Sequence, residues 1–168
     1  MKNFNHIFPI FCSLQINTNV NELWGVISAP GNLNHVHPFC KINEVIAWED
    51  DNHSDRLVYL SGRTFVRNFQ TWEVNEGYSL LIGEENGPQS YVVWNIKKIE
   101  KNKSELTITV YPYILSKLPK LLAYIPHQLI VKPRMTTYLN SVLGGIVYFI
   151  ENGKIVPRNH FGTHKWFS

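Results

Sequence analysis

Charge is scarce in this chain. Charged residues are 17% of its 168 positions, below the ~25% usual for soluble domains. The net charge of +3 is too small for a general nucleic-acid binder. Cysteine is scarcer still: only Cys12 and Cys40 occur, which excludes the disulfide framework of a small secreted domain. No run approaches the ~18 consecutive apolar residues of a spanning helix, so no stable membrane insertion is expected. Repeats and low-complexity tracts are absent. Nine prolines and ten glycines scattered along the chain exclude a coiled coil. After Met1-Lys2-Asn3-Phe4 the apolar run is broken by Pro9 and no small-residue cleavage site follows. No signal peptide is therefore expected, and the chain reads as a cytoplasmic protein with reduced thiols.

What the chain has in quantity is apolar and aromatic side chains, 44% hydrophobic and 13% aromatic. That excludes intrinsic disorder and is enough to bury the core of one domain, residues 1–168. The charge surplus has an address. Between Tyr113 and Lys132 stand Lys117, Lys120 and Lys132 with no acid, and the rest of the chain is balanced.

His6 to Ile16 alternates, with Phe8, Ile10, Cys12, Leu14 and Ile16 on one side, and predicts a half-buried strand. Asn19 or Asn21 can cap a short helix from Val20 to Ile27, with Glu22 in its first turn. Ala29-Pro30-Gly31-Asn32 ends it, and a second helical turn is expected over Leu33–His37, stopped by Pro38. Six strand signals follow. Lys41–Trp48 alternates with Ile42, Ile46 and Trp48; Glu49–Asp55 reads as a turn; Arg56–Leu60, Arg63–Val74, Tyr78–Glu84, Ser90–Glu100 and Glu105–Pro112 complete the series. Seven strands with mostly one polar face make an antiparallel sheet. Tyr113 to Val131 is apolar but interrupted by Pro119 and Pro126. Pro133 suits a helix first turn, and Met135, Tyr138, Leu139, Val142, Leu143, Ile146, Phe149 and Ile150 recur at helical steps up to the stop at Gly153. Residues 154–168 form an aromatic, histidine-rich tail.

The expected class is α+β: a curved seven-stranded sheet wrapped around one long C-terminal helix, with two short helices between strands 1 and 2. One helix does not fill such a concave face, so an apolar, aromatic cavity is expected between them, with the character of a small-molecule site.

This order resembles the START-like, or SRPBCC, superfamily: the helix-grip fold of polyketide cyclases and dehydrases, lipid-transfer proteins, coenzyme-Q-binding proteins and the plant pollen allergens. Val20-Asn21-Glu22-Leu23-Trp24-Gly25-Val26-Ile27-Ser28 looks like their first helix. Ala29-Pro30-Gly31-Asn32-Leu33 with His37-Pro38 looks like the link and second short helix. The resemblance covers about Phe4 to Asn152. It implies a hydrophobic ligand in the cavity and leaves open whether that ligand is transformed. The insert or lid at 113–132 and the tail at 154–168 are departures from simpler members.

Candidate site residues follow from the same pattern. Strict alternation places Arg63, Phe65, Arg67, Phe69 and Thr71 on one strand face and Trp72 on the other. If the arginine face looks inward, Arg63 and Arg67 need an anionic partner, which a ligand carboxylate or phosphate would supply. The alternative is surface pairing with acids such as Glu73 or Glu44. Tyr59, Trp72, Tyr91, Trp94 and Tyr138 join polar tips to apolar bodies, suited to a cavity wall or a core, and alternation puts Tyr91 on the face opposite Trp94. Tyr138 lies on the inward stripe of the long helix, with Arg134 one turn earlier as its polar partner. His37, held before Pro38, is the candidate general acid or base, with hydrogen bonding of the second short helix as its alternative role.

His35, His37, His160 and His164 with Cys40 do not make a metal set, because Gly162 opposes a helix between His160 and His164 and no carboxylate completes the group. Gly144-Gly145 is no phosphate loop but a place for close backbone approach. No cofactor is called for. Three functions compete: a binding or carrier module for a lipid-like, aromatic or polyketide molecule, a cyclase- or dehydratase-type enzyme using His, Tyr and Arg side chains, and a regulatory or interaction protein whose pocket is vestigial. The tail is expected to cover the sheet, the helix or a second subunit, which would make a homodimer. For 113–132 three readings stand: a plug that closes the core, a gate, or a face that touches an anionic membrane. Three lysines at ~1 kcal/mol each give the last only weak attachment.

Overall fold

The computed structural model describes residues 8–49, 52–115 and 118–168. Strand β1 (Ile10–Ile16) begins just after Pro9, which has no N–H to give a ladder. Ile10, Cys12 and Ile16 are buried, while Leu14 on the same face is still 38% exposed. The expected strand residues His6 and Ile7 lie outside the described residues. Helix α1 (Val20–Ile27) is capped by the Asn19 side chain, which accepts from the Glu22 N–H at 2.9 Å. The Glu22 carboxylate in turn accepts from the Thr18 hydroxyl at 2.7 Å. Helix α2 is a single turn, Leu33–Val36.

Six strands follow: β2 (Cys40–Glu49), β3 (Asn52–Tyr59), β4 (Thr64–Glu73), β5 (Gly77–Gly83), β6 (Gln89–Glu100) and β7 (Lys103–Tyr111). All pairs are antiparallel, in the order β1-β7-β6-β5-β4-β3-β2. The architecture is the α+β helix-grip: a seven-stranded curved sheet against one long C-terminal helix.

Three expectations are corrected here. The turn placed at Glu49–Asp55 is too long, because β3 starts at Asn52. His53 and Asp55 belong to the strand and point inward. Both meet residues of the neighbouring strand: Asp55 pairs with Arg67, and the His53 ring stacks on Trp72 at 4.0 Å.

Alternation also fails at bulges, where one extra residue reverses the facing of all that follow. Register shifts between Cys40 and Ile42 and between Val45 and Ala47 leave Ile42 and Ile46 exposed. In β4 the shift between Phe69 and Thr71 turns Trp72 to the same side as Phe69, against whose ring it packs at 5.2 Å.

The third correction concerns the prolines. Helix α3 (Lys120–Pro126) passes through a π segment (His127–Val131) into α4 (Lys132–Asn152) without a break. Pro133 has no N–H and its ring crowds the carbonyl one turn back, so a local widening lets the helix continue where an α-turn would clash. Gly153 closes α4 in the left-handed conformation at φ 61°.

The inward face of this run carries Ala123, His127, Val131, Met135, Leu139, Val142 and Ile146, all buried. The outer side of its first part is left uncovered by the described residues. Leu121, Leu122, Ile125 and Leu129 point to solvent at 85%, 66%, 63% and 73% exposure. Gly145 meets α2 backbone to backbone, since a Cβ there would lie 2.1 Å from the Val36 carbonyl oxygen. Gly144 meets the tail, since a Cβ there would lie 2.8 Å from Phe161 Cζ.

The tail is bound along its length. Val156 N–H donates to the His35 carbonyl and Asn159 N–H to the Pro38 carbonyl, each at 2.9 Å. The Ser61 N–H donates to the Phe167 carbonyl at 3.3 Å.

Candidate functional site: an aromatic cavity with a hydroxyl pair

The sheet curves away from α4 near the helix's first turns, where β3–β7 present Leu57, Leu80, Val92 and Trp94 and the helix presents Met135 and Leu139 to a shared cavity. Its space for the centre of a water-sized sphere is about 100 Å³, several times the ~10–15 Å³ that one buried water needs. The walls are mostly apolar, and the residues with polar side chains among the lining include His37, Tyr59, Tyr138, Ser90, Tyr113, Arg63 and Arg67.

Three of them form a directed chain. The Phe39 N–H donates to His37 Nδ1 at 3.2 Å, so that nitrogen carries a lone pair and the neutral ring's proton sits on Nε2. Nε2 lies 2.9 Å from the Tyr138 hydroxyl and donates to it. The Tyr138 and Tyr59 hydroxyls are 3.1 Å apart. Two hydroxyl hydrogens thus share one bond between them, and one hydrogen is left over for a further acceptor.

Burial, and then the nearby charge of Arg67, pushes His37 down to about 3. Burial pushes Tyr138 up to about 12 and holds Tyr59 well above the ordinary phenol value. At neutral pH all three are uncharged. They are hydrogen-bonding groups on a mostly apolar wall, poor at taking or releasing a proton.

The other residues singled out from sequence are placed as follows. Trp94 lines the cavity and stacks on Tyr78 at 5.4 Å. Arg63 lines it from an exposed position. Arg67 also reaches it but is not spare. Its Nε donates to Asp55 Oδ1 at 2.7 Å and its Nη2 to Asp55 Oδ2, with both side chains buried. The anion that a buried arginine requires is therefore a strand neighbour, not Glu73 or a ligand. Glu44 pairs instead with Arg56 at 3.5 Å on the surface.

Trp72 stands off the cavity in an aromatic cluster with Trp24, Trp48, His53, Phe69 and Tyr78. Arg134 turns outward over the Trp166 ring at 5.1 Å. Its carbonyl faces His164 Nε2 at 3.0 Å. Cys12 and Cys40 are free and buried, and burial raises the Cys40 thiol to about 12. His160 lies against Tyr148 at 4.7 Å, apart from His37 and His164. Among the described residues no three potential metal ligands come together.

The tail's part in the site escapes strand and helix periodicity. Phe167 packs its ring 4.5 Å from Tyr59 and 4.4 Å from Tyr138, and with Trp166 forms part of the cavity wall. The available signal was composition: Phe161, Trp166 and Phe167 within so short a segment are too apolar to stand in water. Asp55 was missed because its partner lies on the neighbouring strand.

By sequence, no described protein family and no curated protein matches the chain. By structure the likeness is broad. The Zhui aromatase/cyclase from Streptomyces sp. R1128 superposes with a TM-score of 0.63 at 14% identity, covering 90% of this chain and 100% of that one. A START superfamily protein from Mycobacterium smegmatis gives 0.59 at 13% identity, covering 84% and 98%. DynU16, from the dynemicin biosynthetic locus, gives 0.66 at 15% identity, covering 88% of this chain. This chain spans 48% of the length of DynU16. The fold is thus the START-like helix-grip, which by itself assigns no reaction. Among the described residues no helix is long and apolar enough to cross a membrane.

Proposed function

We propose that the protein binds and carries a hydrophobic small molecule, of aromatic, polyketide or lipid type, whose polar end is a carbonyl or similar oxygen. The observation that carries this is the hydroxyl hydrogen left over at Tyr59 and Tyr138 in a mostly apolar cavity. A buried donor without an acceptor costs roughly 1–3 kcal/mol, and a ligand oxygen would recover it. The bonded Arg67–Asp55 pair argues against an anionic head at that position.

The alternative, an enzyme of cyclase or dehydratase type, takes support from the aromatase/cyclase among the structural neighbours. In that reading the hydroxyls would stabilise an enolate oxygen as hydrogen-bond donors. His37 would hold Tyr138 in place and not itself remove a proton, because burial holds it far below the pH at which a base is effective.

Native mass spectrometry of freshly purified protein tests the carrier reading. A retained small-molecule mass, released on denaturation and absent from a Val92→Trp variant that fills the cavity, is the expected result. A wild-type protein that carries no such mass from its native host and binds no aromatic ketone would reject the reading.

A further inference from the structure

The first part of the long helix is apolar on both sides. Its inner stripe, Ala123, His127 and Val131, is buried against the body of the protein. The outer stripe of Leu121, Ile125 and Leu129 recurs every fourth residue, with Leu122 beside it, and all four are more than 60% exposed. Leu118, Tyr124 and Ile130 flank this stripe at 46%, 51% and 46%. Scattered exposed apolar residues mean nothing, but a contiguous helical face of them marks a contact surface.

The charge around it selects the partner. From Glu105 to Glu151 the chain has no acid between, and in that interval it carries Lys117, Lys120, Lys132 and Arg134. Tyr113 and Ile114 before the stripe and Met135 after it line the cavity. The surface therefore begins and ends at the ligand site.

We infer that this face docks on a membrane surface containing anionic lipid, with the leucines below the headgroups and the lysines among them. An apolar face in a stretch of sequence that holds cations and no acid, with Lys132 exposed beside it, fits an interface of apolar depth and negative charge. A second copy of the chain fits less well, because a two-fold contact would set lysine against lysine. The inference does not depend on what the cavity binds. Charged residues replacing the leucines test it without touching the cavity.

The experiment is flotation of the full chain with vesicles of phosphatidylglycerol and phosphatidylcholine in equal parts, beside vesicles of phosphatidylcholine alone. Expected is binding to the anionic vesicles several-fold above the neutral ones, falling by about fivefold or more as salt is raised to ~0.5 M, since surface charge is then screened. Leu121→Asp with Ile125→Asp should abolish it and leave the melting curve unchanged, as both side chains are solvent-facing. Lys132→Glu should weaken it, and Lys132→Arg should not.

No flotation of the wild type, or flotation equal on both vesicles and indifferent to these substitutions, would overturn the inference. So would a wild-type dimer by sedimentation that the Leu121/Ile125 variant makes monomeric, with no vesicle binding, which would assign the face to a second copy. Flotation gained only when residues 1–7 are deleted would assign it to the chain's own start, because Phe8 already packs against Tyr124 and His127.

Discussion

His37 Nε2 stands 2.9 Å from the Tyr138 hydroxyl, joining α2's end to α4 across the mouth of the cavity. The bond makes the Tyr138 hydroxyl an acceptor and leaves its hydrogen for Tyr59 or for another acceptor. The two hydroxyls are unequal: Tyr138 accepts from the histidine N–H and also meets Tyr59, whereas among the described residues the Tyr59 hydroxyl bonds to Tyr138 alone.

Tyr138→Phe should therefore destabilise the protein more than Tyr59→Phe. The first strands the His37 N–H in a buried place, at roughly 1–3 kcal/mol. The second removes one end of a single neutral hydrogen bond, worth about 0.5–1.5 kcal/mol net. Urea unfolding of the two variants gives the comparison, and the reverse order would mean that the histidine finds another acceptor.

Acid should weaken the fold through His37 first. The unfolded chain protonates this residue near 6.5, while in the folded protein burial and Arg67 hold it to about 3. Between those values the unfolded state binds the extra proton, so stability is full above pH 6.5 and declines as pH falls toward 3. The loss is on the order of 4 kcal/mol over the window. Burial lowers His164 and His127 in the same sense. Stability measured from pH 7 to pH 4 should fall less steeply in His37→Gln. Parallel curves for the two proteins would show that His37 titrates normally in the fold.

Removing one partner of the Arg67–Asp55 pair should cost much more than removing both. Asp55→Ala leaves a buried guanidinium, at about 3–5 kcal/mol. Asp55→Leu with Arg67→Met should recover most of that, since desolvation of two charges offsets most of their attraction. A double variant as unstable as the single one would show that the pair organises the sheet beyond its own charge balance.

The adjacent glycines of α4 should respond differently to alanine. Gly145→Ala drives a Cβ into the Val36 carbonyl, which is backbone, and overpacking of this kind costs about 1–3 kcal/mol or more. Gly144→Ala presses only on the Phe161 ring, which is 45% exposed and free to move. The ~1 kcal/mol gain in helix propensity should offset that pressure. Thermal unfolding of the pair checks this, and equal losses would mean that the tail is as fixed as α2.

The elements were legible where one residue type per position carried the signal. Asn19 and Gly153 mark ends that depend on local chemistry, and the strands β6 and β7 alternate cleanly. What stayed hidden depends on distant partners. Asp55 reads as a turn residue until Arg67 is beside it, and Trp72 reads as outward until a bulge reverses the strand. Pro126 reads as a break and Pro133 as a fresh helix start because periodicity has no symbol for a π segment. Of the site, Tyr59, Trp94, Tyr138 and His37 were on the page as cavity candidates, but their hydrogen bonds were not. Phe167 is visible only once the tail has folded across the mouth.

The most direct measurement is a pair of binding titrations with 2-acetylnaphthalene and 2-ethylnaphthalene, which share an apolar body and differ in one carbonyl. The account predicts saturable one-to-one binding of both, with the ketone tighter by about 3–10-fold, the worth of one net hydrogen bond. That advantage should vanish in the variant with Tyr59→Phe and Tyr138→Phe together. Equal affinity of the wild type for the two compounds, or a ketone preference that survives loss of both hydroxyls, would contradict it.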